Sequence, residues 1–158
     1  MRSILFILCS VFFFQVNAQE QNFKNFYKSN KDRAAISLDL PGIASKFFTS
    51  NDELEELEVF LKKAKNYKVM IFDSHAQSTA KDFNKFIRKN DYKTLVRIKD
   101  GGDRVRVYFR ETADLIREIV ISTITDNDGL VLLGVKTKLT KDELAALVKS
   151  AQTSIASN

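Results

Sequence analysis

Histidine and cysteine occur once each, proline once, glycine five times and tryptophan not at all in this chain of 158 residues. Each scarcity removes a class of chemistry or architecture. One Cys and one His cannot furnish a zinc finger, a histidine-clustered metal centre, a Cys-His protease or a disulfide framework. A lone proline and few glycines leave no flexible linker, so a single domain is expected. Neither sign of charge dominates: 25 Lys and Arg stand against 20 Asp and Glu, a formal +5, too small an excess to argue for nucleic acid as a partner. The Gly-x-Gly-x-x-Gly and phosphate-loop lysine motifs are missing, and no pattern asks for a cofactor or a metal. What is present is 44% apolar and 11% aromatic, enough for a core of ordinary size.

The single cysteine lies in a segment with its own logic. Arg2 precedes the apolar run Ile4 to Phe14, and Gln15-Val16-Asn17-Ala18 then leads into polar Gln19-Glu20-Gln21. A short positive start, an apolar stretch too short to span a bilayer of about 30 Å and a small residue closing a Val-x-Ala site predict a signal peptide over residues 1–18. The mature chain is then a single domain over residues 19–158, with 140 residues (158 − 18), no cysteine and +4, because Arg2 is the only charge removed. Packing alone must hold such a chain, which fits a periplasm or outer cell envelope better than a small disulfide-stapled secreted domain. No later stretch reaches the apolar length of a spanning helix, so no transmembrane helix is expected after cleavage.

The mature chain reads as α+β, a mainly antiparallel sheet built from C-terminal β-hairpins and covered by amphipathic helices. Phe23, Phe26 and Tyr27 share one face of a short helix over residues 22–31, and Ile36 to Leu40 alternates as a strand. Pro41 is expected in the first turn of a helix carrying Ile43, Ala44, Phe47 and Phe48. Ser50-x-x-Glu53 is a capping box for a helix with Leu54, Leu57, Phe60, Leu61 and Ala64 inward, and its acidic start and lysine-rich end suit the helix dipole. A buried strand over Tyr67 to Asp73 precedes a helix over residues 77–90, with Ala80, Phe83, Phe86 and Ile87 on one face. From Tyr92 the pattern turns to strands. Asp100-Gly101-Gly102-Asp103 and Asp126-Asn127-Asp128-Gly129 are turn signals whose glycines accept positive φ. Thr140-x-x-Glu143 caps a last helix carrying Leu144, Leu147, Val148 and Ala151.

Three motifs invite chemistry. Asp73-Ser74-His75 holds the residue types of a hydrolase triad, but neighbours in sequence cannot assemble one. Ser74 as a helix cap with His75 in the preceding loop is the plainer expectation. Laid on a calcium loop, Asp126 to Gly129 fails at both ends, where Ile124 and Val135 replace the required carboxylates. The third motif concerns binding. With Val105, Val107 and Phe109 facing a core, alternation puts Arg104, Arg106, Tyr108 and Arg110 on the opposite face, and Arg97 and Lys99 join them from the neighbouring strand. Such a stripe suits an acidic envelope protein, an anionic glycan or a lipid headgroup.

The order of these motifs resembles the domain of unknown function family 4252, small exported proteins of Bacteroidetes. The likeness rests on Ala18-Gln19, Phe23-x-x-Phe26-Tyr27, Ile36-Ser37-Leu38 before Phe47-Phe48, and Asp52-Glu53-Leu54. It continues through Tyr67 to Ile71, Tyr92 with Leu95 to Gly101, and Leu130 to Gly134 before Thr140. The resemblance implies an envelope protein and supplies no catalytic residues. Export, a well-formed core pattern and the lack of assembled chemistry point to a non-enzymatic interaction module. The alternatives are a carboxylate-dependent hydrolase or glycan-modifying enzyme, and a small apolar-ligand carrier with phenylalanines lining a cavity.

Overall fold

The computed structural model describes residues 22–42, 60 and 62–156. The leader, the helix expected after Pro41 and most of the helix capped by Ser50 lie outside the described residues. The described chain forms one α+β domain: six antiparallel strands with helices against both faces.

Helix α1 (Phe23–Asn30) starts where the Asn22 side chain accepts from the Asn25 N–H at 3.2 Å, a side-chain N-cap. Strand β1 (Ile36–Pro41) follows a single 3₁₀ turn over Lys31–Arg33. Pro41 closes this strand instead of opening a helix, and it pairs with Asn66 on an edge strand where its missing N–H is tolerated. Phe60, Lys62 and Lys63 are helical and lead into β2 (Asn66–Phe72). Helix α2 (Ala76–Lys89) has His75, not Ser74, at its N-cap, with no side-chain cap bond, and the Ser78 hydroxyl donates back to the His75 carbonyl.

Strands β3 (Lys93–Asp100), β4 (Asp103–Thr112), β5 (Leu115–Ile124) and β6 (Leu130–Leu139) form a meander. Gly101 takes φ +61 at the first position of the β3–β4 loop, the place where a type II′ turn needs its glycine. In the β5–β6 loop the positive φ falls on Asp128, and Gly129 instead donates its N–H to the Thr125 hydroxyl at 3.0 Å. Helix α3 (Lys141–Ala156) begins with a reciprocal capping box: the Glu143 N–H donates to Thr140 Oγ1 at 3.2 Å and the Thr140 N–H to Glu143 Oε2 at 2.9 Å.

Strand order is β1-β2-β6-β5-β4-β3. After β2 the chain crosses through α2 to the far edge, then walks back until β6 pairs with β2. The first face of the sheet carries Met70, Phe72, Tyr108, Val120, Leu130 and Leu132 beneath α1 and α2. There Phe26 stands 5.0 Å from Phe86 and 5.5 Å from Phe83, ring centre to ring centre, and Phe83 meets Tyr108 edge-on at 5.8 Å. The described phenylalanines of this cluster pack on one another, the arrangement of a solid core. Gly134 lies on β6 under Phe23, and a Cβ there would overlap the ring, so α1 comes this close to the sheet only over a glycine. The second face carries Ile116, Ile119 and Leu139 under Leu144 of α3, with Val107, Phe109 and Phe60 packed alongside.

Candidate functional site

The residues singled out on the β3–β4 hairpin do not stay together. All lie on the first face of the sheet, but among the described residues α1 and α2 cover its middle and not its ends. Tyr108, expected on an open face, is a core residue at 5% exposure. The alternation holds along β4, but the face opposite Val105, Val107 and Phe109 has a helix on it.

Arg97, Lys99, Arg104 and Arg106 remain near the hairpin tip. The first three are exposed and Arg106 is half-buried. Register sets Arg97 directly opposite Arg106 and Lys99 directly opposite Arg104. Like charges facing each other across an antiparallel pair are destabilising by roughly 0.2–1 kcal/mol per pair. None of the four forms an ion pair among the described residues. Nearby Asp103 is engaged elsewhere: its Oδ1 accepts from the Asp126 N–H at 3.0 Å, joining the two hairpin tips. Charges on an edge strand discourage sheet-to-sheet pairing, which accounts for Arg97 and Lys99 on β3. Arg104 and Arg106 sit on β4, an interior strand, where that protection has no purpose.

Arg110 stands at the other end of β4, about 13 Å from Arg106 at the usual rise per residue. Its Nε lies 3.4 Å from Glu118 Oε2, and both side chains are largely buried. The same oxygen accepts from the Tyr92 hydroxyl and from the Phe23 N–H at 3.4 Å. Burial, and after it the neighbouring Glu118 carboxylate, pushes the Tyr92 hydroxyl far above its ordinary range, so Tyr92 stays a donor. Arg110 is therefore first a partner for a buried carboxylate. Glu118 and Tyr92 were not legible as a pair, because 26 residues and two strands separate them.

Asp73, Ser74 and His75 are all exposed. Asp73 and Ser74 line an open depression of about 450 Å³ with Lys81 and Asp128. No hydrogen bond joins the side chains of the three, so no base is set against a nucleophile among the described residues. Among the described residues no group of three His, Cys, Asp or Glu is placed to hold a metal ion, and no helix is long and apolar enough to cross a membrane.

Compared with known proteins, the chain matches no curated protein and no solved structure. One family model does match it, over residues 26–147, from the aromatic face of α1 into α3. That span takes in every described strand and most of the chain, and the protein belongs to the family described as a domain of unknown function, DUF4252.

Proposed function

We propose that this protein is an exported, non-enzymatic binding module of the cell envelope. Its leader is removed after Ala18, and its β3–β4 hairpin tip holds an anionic surface: phosphate headgroups or an acidic glycan. The observation that carries this reading is the double like-charge register, Arg97 against Arg106 and Lys99 against Arg104. Folding gains nothing from it, and an anionic partner converts the repulsion into attraction. Three arginines suit such a partner, because the planar guanidinium fork can donate two parallel hydrogen bonds to a phosphate or a carboxylate. Export rests on residues 1–18 alone: a positive start, an apolar run and Ala18 before a polar segment.

Co-sedimentation with vesicles of neutral lipid, with and without an anionic lipid, tests the surface. The mature chain should pellet only with anionic vesicles and should release as salt rises. The variant R97S/K99S/R104S/R106S should lose binding while its Tm stays level or rises, since two repulsive pairs are gone. Binding that survives in this variant removes the hairpin from the function. Mass spectrometry of the protein recovered from an envelope fraction tests the leader: an N-terminus at Gln19 is expected, and an intact chain retaining Arg2 overturns export with cleavage.

A further inference from the structure

The opposite end of the same sheet face holds a second, more enclosed cationic feature. A cleft of about 310 Å³ opens between the start of α1 and the ends of β2, β5 and β6, and a neighbouring one of about 240 Å³ continues toward β4. The two share Asn22, Lys65, Glu118 and Lys136, which makes them lobes of one groove. Two carboxylates border it, and both are engaged. Asp39 is bonded to Lys68 and, at 2.7 Å, to Asn66; the Lys68 bond, with Asn66 next, holds its carboxyl below the usual range. Glu118 takes Tyr92, Arg110 and the Phe23 N–H. Of the remaining cations, Lys24 acts on Asp39 through space without an ion-pair contact, and Lys65, Arg117, Lys136 and Lys138 form no ion pair among the described residues.

Two details narrow the occupant. All three contacts to Glu118 fall on Oε2, so Oε1 of a side chain only 8% exposed is left on the groove floor as an acceptor without a partner among the described residues. That oxygen is not a fully buried atom, so it is open to the groove and can take a hydroxyl from a bound molecule in place of solvent. The walls are mostly lysine, a point charge that suits a phosphate without demanding a planar fork. The lobes together have the size of a small-molecule site, with cations spread over both. We propose that this groove binds a phosphorylated saccharide or polyol, its phosphates on Lys65, Lys136 and the flanking cations and a hydroxyl donating to Glu118 Oε1. This site is separate from the hairpin tip and stands or falls independently of it.

Calorimetry on the mature chain tests the assignment, with fructose bisphosphate as the free probe and vesicles bearing a phosphoinositide bisphosphate as the lipid-held form. Inorganic pyrophosphate serves as the probe without hydroxyls. One of the first two should bind, and which one does decides between a free sugar and a headgroup. Pyrophosphate should bind about tenfold more weakly, a loss on the scale of one hydrogen bond to a charged group. K65A/K136A, which alters two exposed side chains, should weaken the bound probe about tenfold or more while leaving Tm in place. The hairpin variant R97S/K99S/R104S/R106S should keep the affinity of the free probe. No binding of either bisphosphate form, pyrophosphate binding as tight as the sugar, or an unchanged affinity in K65A/K136A would each overturn the proposal.

Discussion

Arg104 and Arg110 occupy equivalent places in one alternation, six residues apart on the same strand, yet only one of them is built into the interior. Removing Arg110 leaves Glu118 as a buried carboxylate short of a cation, and losing one partner of such a pair is worth about 3 kcal/mol. Arg104 is exposed and faces a like charge, so its loss should move stability by less than about 0.5 kcal/mol. Urea unfolding of Arg110→Ser and Arg104→Ser side by side checks the contrast, and equal midpoints would contradict the division of roles. Sequence alternation gave both residues the same face and no more. What differs is the neighbour across β5, Glu118 for Arg110 and Ile124 for Arg104, and that depends on a register shifted by one bulge after Arg110. Hydrophobic periodicity carries no signal for such a bulge.

At the scale of elements, turns and caps were the most readable part, since their chemistry is local. The capping box at Thr140 and Glu143 forms as its spacing dictates, and the paired glycines do turn the first hairpin. The β4–β5 connection lacks such a signal. Its two loop residues, Ala113 and Asp114, take φ +50 and +61, the left-handed pair of a type I′ turn, without the Asn-Gly that normally fills one. Alanine in that region is strained by roughly 1–2 kcal/mol. Ala113→Asn should therefore stabilise the protein by about 1 kcal/mol, seen as a Tm higher by about 3–5 °C. A lower Tm would mean that the turn is held by contacts the alanine methyl makes. Asp114 is best left in place, because it approaches Lys141 at 3.6 Å.

The whole molecule hinges on one seam. β1 and β2 come from the first half of the chain and β3 to β5 from the second, and only β6 joins them, pairing with β2 on one side and β5 on the other. A fragment ending at Asp91 keeps α1, β1, β2 and α2 but strips β2 of its inner partner. It should show no cooperative thermal transition by circular dichroism, and a sigmoidal melt would prove β2 independent of the seam. The strands themselves were legible from alternation and turns, whereas their order was not, because nothing local in β2 specifies a partner that begins at Leu130. The groove escaped for the same reason. Its walls come from α1, β2, β5 and β6, and the bond from Phe23 to Glu118 alone spans 95 residues. The late position of that seam also sets a clock. During synthesis the two halves stay unjoined until β6 is made, at Leu139 of 158 residues, so the sheet cannot close while most of the chain is still emerging. For a chain carrying the leader proposed above, that delay keeps it threadable through an export channel until β6 has been made.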